Sequence, residues 1–458
     1  MLALALPLLW LLVVVSLLGY ALVGERNLRA LLYGLAALAL LATGLSTIGA
    51  PLHWAMFLGI AGISAGARHY FIEKSKTPNT EKGAEKNRNS KEHGGAKKEN
   101  AFDIMAIVKS PDFFAAMAII FTFVLLYQGS TSYQWLEDDD PWRHALGVNQ
   151  VAQTLSAQRP VISDPTQFER WYLEPYPPAF DIIMGLMKQL NDSTSATLKF
   201  FNALLCGAAV LAFYLWMRDA FPDNPWIGAV GAVFIAAIPG FMSHFIWSQT
   251  LAMVLIFTAM MALARLEKEA KFLLQAGVCV AAVLIAQPTI AILFGPITGM
   301  LLVSHIAMKK FDFAKTLFIA LALGLVVSMA IFWVPMYLKF GQAQFLSDVG
   351  IESSYLTGGT ASDTSGGVVY TLEEFIFPSS SSKIDQAVGI GLALVLLSLV
   401  ASFMVAKEAL SGKGNPILIF LVLFMIFGYL GTEGNALPLK LFPHRFWVFL
   451  AIPIAALS

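Results

Sequence analysis

A chain of 458 residues that is 57% hydrophobic and only 13% charged, with a mean hydropathy of +0.68, is too apolar for a soluble domain and belongs in a membrane. Lysine plus arginine and aspartate plus glutamate number 30 each, so the net charge of zero gives no ground for a nucleic-acid partner, and the information lies in where the charges fall. The two cysteines, Cys206 and Cys279, both sit in apolar runs, which reads as packing and leaves no disulfide scaffold, zinc motif or redox pair.

A membrane span needs about 20 mostly apolar residues. Candidates run over 1–23, 28–48, 49–66, 113–130, 196–217, 225–243, 245–264, 272–288, 289–308, 314–338, 387–406, 415–431 and 442–458. They imply an all-α polytopic membrane protein, a bundle of about 10 to 13 transmembrane helices with long loops on one side. The first run has no basic leader before it and no small-residue cleavage site after it, so it is expected to be a retained span. The last run reaches Ser458, which suggests a chain cut short at its C-terminus.

Between Arg68 and Lys109 the composition changes to Lys, Glu, Asn and Gly. Residues 67–112 are therefore expected to be a basic, disordered cytoplasmic linker. It separates accessory spans in 1–66 from a main body in 113–458. Threading the spans from a cytoplasmic linker puts the turns at Arg26 and Arg29, Arg218, Arg265 to Lys271, Lys309 to Lys315 and Lys407 to Lys413 on the same side, as the positive-inside rule demands. The opposite, extracytoplasmic side of the cell membrane then receives residues 131–195, the turn at Ser243-His244, the loop 340–386 and residues 431–441.

That outer side holds the residues able to carry chemistry. Glu137-Asp138-Asp139-Asp140-Pro141-Trp142 follows the span at 113–130. Asp140 with Pro141 reads as a helix start, Asp as N-cap and Pro at the first helical position. A cap uses one acid, and the surplus suits a hard divalent cation held through carboxylate oxygens. Downstream, Glu169 to Phe180 mixes aromatics, charges and prolines as an interfacial belt does. Asn191-Asp192-Ser193 has the pattern of a glycosylation acceptor. Residues 353–367 are rich in Ser, Thr and Gly, a composition that can cover a site and clear it. Thr371-Leu372-Glu373-Glu374 follows, and His444-Arg445-Phe446-Trp447 places a cation at the mouth of the last span, where a guanidinium suits a phosphate.

Taken together, these residues resemble the catalytic subunit of oligosaccharyltransferase, of the archaeal and bacterial single-subunit type, a membrane glycosyltransferase of the GT-C class. Glu137 to Trp142 looks like the family's first acidic motif, Thr371 to Glu374 like its Thr-Ile-x-Glu motif, and Arg445 falls where the family has an arginine near the lipid-linked diphosphate. Ile238 to Gln249 resembles the approach to the second acidic motif without its acids, leaving His244 and Gln249 as possible ligands. The resemblance covers about 113–458 and lacks the family's Trp-Trp-Asp-Tyr-Gly motif.

The resemblance implies a GT-C-like transmembrane bundle with Asp138, Asp140 and Glu374 as catalytic residues and Arg445 as donor-phosphate binder. Asp138, Asp140, Glu374 and His244 would hold a divalent cation, Mg²⁺ or Mn²⁺. The implied reaction transfers a glycan from a lipid-linked (dolichyl or polyprenyl) phosphate donor to the Asn of an Asn-x-Ser/Thr segment. The implied partners are the lipid-linked sugar donor, an acceptor polypeptide and membrane lipid. A GT-C transferase using a polyprenyl-phosphate sugar and a lipid, glycan or hydroxyl acceptor is the alternative. A polytopic transporter is the alternative of another class, although coupling acids in transporters lie within spans and these lie in loops.

Overall fold

A computed structural model of the chain describes residues 2–76, 104–136, 139–159, 172–242, 247–348, 369–381, 386–434 and 443–458. The described residues are all-α apart from one short hairpin. Helices α1 (Leu2–Val23), α2 (Leu28–Thr47) and α3 (Trp54–Lys76) lead, and α4 (Ile104–Val108) and α5 (Pro111–Thr131) follow. At one end of the bundle lie α6 (Asp139–Thr154) and α7 (Ala179–Lys188). The main body continues with α8 (Thr194–Ala220), α9 (Pro225–Ala237), α10 (Pro239–Met242), α11 (Ser248–Lys268), α12 (Leu273–Leu284), α13 (Pro288–Ala307) and α14 (Phe311–Ser328). A π-helical turn at Met329–Trp333 joins α14 to α15 (Val334–Phe340), then come α16 (Gln342–Asp348) and α17 (Leu372–Ile376). Strands β1 (Ser379–Ser381) and β2 (Gln386–Val388) pair antiparallel, Ser380 opposite Ala387, before α18 (Leu392–Leu410), α19 (Pro416–Thr432) and α20 (Pro443–Leu457).

Each of the candidate spans contains a helix. Among the described residues, 8 helices are long and apolar enough to cross a membrane, and shorter apolar helices lie among them. The helix starts follow local chemistry. Ser110 and Ser193 cap α5 and α8 by accepting from Phe113 N at 3.2 Å and Ala196 N at 3.1 Å. Asn415 and Gln287 cap α19 and α13, each followed by Pro at the first helical position. The π turn precedes Pro335, whose ring would crowd the carbonyl of Ile331 in a regular helix; widening the turn avoids that clash.

Helix α11 is the hub. Of its apolar window 94% is buried in protein, against 11% for α18, whose Phe403 and Val400 face outward. Aromatic rings fill the layers around the hub. Trp216 and Phe213 of α8 meet Phe257 of α11 at 6.0 and 5.4 Å, and Trp216 meets Phe420 of α19 at 6.4 Å.

Four of the basic turns expected to share one side are engaged in ion pairs between helix ends. Arg29 pairs with Asp219, Arg265 with Glu25, Arg218 with Asp112 and Lys310 with Glu267. The first two of these pairs tie the leading helices to the main body, as does Gln189, which accepts from Trp54 N at 2.9 Å and donates to Leu52 O at 2.7 Å. Helix α3 continues through Lys76, past the expected linker start at 67. Nothing from Ala67 to Lys76 breaks a helix, and it stops just short of Pro78, which disfavours helical geometry in the residue before it. The rest of the linker from 77 to 103, and the Ser/Thr/Gly-rich loop 353–367, lie outside the described residues.

Candidate functional site

The site is built on the first two turns of α6. Asp140, His144 and Gly147 recur at i, i+4 and i+7, so they share one face of that helix. The helix begins at Asp139, two residues earlier than the cap reading requires, and Asp140 lies in its first turn. The Asp140 carboxylate accepts a hydrogen bond from the Tyr172 hydroxyl. Burial, and then the Asp140 charge, push the Tyr172 hydroxyl well above the ordinary tyrosine value, so it stays a proton donor to that carboxylate.

One turn deeper, His144 Nδ1 lies 2.7 Å from Asp181 Oδ1, with side-chain exposures of 3% and 1%. The backbone N–H of Ser248, first residue of α11, donates to His144 Nε2 at 3.3 Å. A nitrogen accepting from a backbone N–H carries no proton, so Nδ1 carries the ring's proton and donates it to Asp181. Burial raises the Asp181 carboxyl above the usual carboxylate range, and the neighbouring His144 opposes that rise. Gly147 makes the close approach possible: a Cβ there would sit 2.3 Å from Asp181 Oδ2. The His144 ring stacks on Tyr172, centroids 4.4 Å apart, so the buried pair sits directly behind the ring that holds Asp140.

Tyr176 carries the site across the bundle. Its ring lies 4.8 Å from that of Tyr172 and its hydroxyl 3.2 Å from Ser248 Oγ. Burial pushes the Tyr176 hydroxyl up to about 12; Ser248 and the positive charge of Arg445 oppose the rise, and the negative charge of Asp140 adds to it. Tyr176 thus stands between Tyr172, which bonds Asp140, and Ser248, the neighbour of Trp247. Arg445, near the start of α20, lies with its guanidinium carbon 5.3 Å from the centre of the Trp247 ring and donates to Thr289 Oγ1 at 3.4 Å.

Glu374 belongs to a neighbouring segment. It closes a capping box, its carboxylate accepting from Thr371 N at 2.7 Å and Thr371 Oγ1 at 3.0 Å. Its segment packs on α20, with Tyr370 and Phe375 centroids 5.1 and 4.6 Å from Trp447, two residues past Arg445. Burial, and then the charge of Glu374, raise the carboxyl of Glu433 at the end of α19.

No protein-family model matches the chain. No curated protein matches it either. Among solved structures, the Archaeoglobus fulgidus oligosaccharyltransferase in its apo form is similar with a TM-score of 0.47 and 14% sequence identity, over 76% of this chain and 50% of that one. The chain thus spans about half the length of that protein. A likeness of this degree decides neither activity nor ligand, which rest on the chain's own residues.

Of the residues singled out from sequence, Asp140 and Arg445 are brought into one neighbourhood, and Glu374 sits on a segment packed against the helix that carries Arg445. Asp138 and His244 lie outside the described residues. Gln249 turns into the bundle rather than outward: it is 2% exposed, neither polar atom of its amide has a hydrogen-bond partner among the described residues, and it lines a cavity of about 20 Å³ with Cys206, Thr250 and Val448. Asn191 of the glycosylation pattern is engaged in shaping the start of α8, bonding Met187 O at 2.9 Å and Thr197 Oγ1 at 2.9 Å. Among the described residues no three of His, Cys, Asp and Glu gather as a metal set. Of the expected donor set, the described members Asp140 and Glu374 are hydrogen-bonded to Tyr172 and to Thr371.

Sequence reading missed Tyr172, Tyr176, Asp181, Ser248 and Thr289. Asp181 had a signal, as the only charge in the apolar run from Ala179 to Met187. The two tyrosines were absorbed into the interfacial belt, and their spacing of four residues was the clue to a shared role.

Proposed function

We propose that the chain is a membrane glycosyltransferase that uses a lipid-linked phosphate donor at the end of the bundle where Asp140, Tyr176 and Arg445 meet, on the extracytoplasmic face. The observation that supports this reading is the run of contacts from Asp140 through Tyr172 and Tyr176 to Ser248, with the Arg445 guanidinium against the ring of the adjoining Trp247 and a buried His144–Asp181 pair behind them. Group transfer from a glycosyl phosphate needs those two poles. The negative pole orients the acceptor's N–H or O–H and receives its proton, and the positive pole takes up charge on the departing phosphate. With the amide of Asn-x-Ser/Thr as acceptor, a bond forms from the amide nitrogen to the anomeric carbon while the bond from that carbon to the phosphate oxygen breaks. Asp140 orients the nitrogen and Arg445 holds the phosphate with its planar donor fork.

A divalent cation, Mg²⁺ or Mn²⁺, bound through Asp138 and Asp140 with Glu374 and His244 as further ligands, is part of the proposal. It would supply Lewis-acid stabilisation of charge at the reacting centre.

The test is transfer from a lipid-linked oligosaccharide to a fluorescent Asn-x-Ser/Thr peptide in proteoliposomes, with and without the peptide and with and without chelator. Asp140→Ala and Arg445→Ala are each expected to lower transfer by about 100-fold or more, as loss of a reacting-centre charge does, with insertion and expression unchanged. Full transfer by Asp140→Ala with metal saturating refutes the assignment. Donor consumption that ignores the peptide moves the acceptor to a lipid, glycan or hydroxyl. Inert donor with vectorial solute uptake replaces the transferase by a transporter.

A further inference from the structure

At the opposite end of the bundle, a cavity of about 710 Å³ opens at the foot of the first three helices. That volume is within the range of about 300 to 1,000 Å³ typical of small-molecule sites. Its walls are apolar, with Leu17 of α1 and Leu28 and Leu31 of α2, and its mouth is polar, with Tyr20, Arg26 and His69. The Arg26 guanidinium carbon stands 5.1 Å from the centre of the Tyr20 ring, and the Tyr20 hydroxyl lies 3.5 Å from His69 Nδ1. Arg68 stands beside the mouth, next in sequence to His69, which lines it, with its Nη2 3.2 Å from the point where a Cβ on Gly24 would sit.

The charge balance of the mouth is one-sided. Its acid, Glu25, is neutralised by Arg265 and accepts a hydrogen bond from Asn27 Nδ2 at 2.9 Å; against the opposing effect of burial, these contacts hold its carboxyl below the ordinary glutamate value. Arg29 is spent on Asp219. Arg26 and Arg68 are exposed, and neither pairs with a carboxylate among the described residues. Tyr70 and Phe71, 59% and 66% exposed just beyond on α3, mark this level as the membrane–water interface, where aromatic rings anchor.

An apolar trough in the hydrocarbon that ends in two cations at the interface matches a molecule with an anionic phosphate head and a long apolar tail. We propose that the groove between α1, α2 and α3 binds an anionic glycerophospholipid of the surrounding leaflet, its phosphate held by Arg26 and Arg68 and an acyl chain laid against Leu17, Leu28 and Leu31. The site lies away from Asp140 and Arg445 and does not depend on the transferase reading.

The experiment uses the full chain in nanodiscs of phosphatidylcholine containing a minority of phosphatidylglycerol, followed by native mass spectrometry of the lipids retained. The chain is expected to prefer phosphatidylglycerol by roughly tenfold or more, in line with two interfacial cations. Arg26→Gln with Arg68→Gln is expected to bring retention to parity with phosphatidylcholine. Because both side chains are exposed, gel filtration and the melting temperature should match the parent chain. If the double variant does not fold, Arg26→Gln alone is expected to lower the preference severalfold. Equal retention of both lipids by the parent chain, or an undiminished preference in the variants, overturns the proposal. Displacement of the lipid by glycerol 3-phosphate at equal concentration overturns the acyl-chain part and leaves a phosphate site.

Discussion

Replacing Asp181 by Ala tests the buried pair behind the acidic motif. Asp181 Oδ1 and His144 Nδ1 are 2.7 Å apart at 1% and 3% exposure, so water cannot replace the lost partner. Removing the carboxylate forfeits a hydrogen bond to a charged acceptor, about 1.5–3 kcal/mol, and strands a buried N–H donor at a further cost of about 1–3 kcal/mol. Asp181→Asn keeps an acceptor oxygen of the same shape and removes a carboxylate that burial already disfavours. It is expected to cost under about 1.5 kcal/mol, the scale of one neutral hydrogen bond. Urea titration of the detergent-solubilised chain, followed by tryptophan fluorescence, compares the two at equal chain concentration. In proteoliposomes Asp181→Asn should retain most transfer and Asp181→Ala should lose most of it, because Tyr172 stacks on His144 and bonds Asp140. Equal damage from Asn and Ala, or an Ala variant within about 1 kcal/mol of the parent, refutes the reasoning.

Gly147→Ala forces a Cβ to 2.3 Å from Asp181 Oδ2 and should loosen the same pair, seen as faster hydrogen exchange in α6 and α7. Gly431→Ala places a Cβ 1.8 Å from the Phe446 ring next to Arg445, and is expected to destabilise the packing of α19 on α20 by about 1–3 kcal/mol, read from the shift in urea midpoint. Tyr172→Phe removes the donor to Asp140 and should lower transfer by about tenfold, equivalent to one hydrogen bond, with expression unchanged. Glu174 has a carboxyl raised by burial, against the opposing pull of Lys339, so the folded state binds its proton more tightly than the unfolded chain does. Stability from this group is therefore greatest below pH 4.5 and falls as pH rises from 4.5 through the folded value. The Glu174→Gln variant should flatten that part of the stability–pH curve, and an unchanged slope would count against a raised carboxyl.

Much of the architecture was legible in the chain itself. Apolar runs the length of a bilayer crossing became helices, and the turns at Arg29, Arg218, Arg265 and Lys310 became helix ends engaged in ion pairs, because hydropathy and local charge act over a few residues. The start of α5 could be read at Ser110-Pro111, and that of α19 at Asn415-Pro416, for the same reason. Asp140 and Arg445 were visible as charges at the mouths of spans. Their common neighbour Tyr176 was not, since nothing local distinguishes it from the other aromatics of its segment. Only the tertiary structure brought Asp181 to His144 and the start of α11 to the other face of that ring, and only it turned Gln249 inward. Those contacts join residues far apart in sequence, and they are set by how closely helices can approach at Gly147 and by which buried polar atoms find partners, neither of which any stretch of the chain specifies alone.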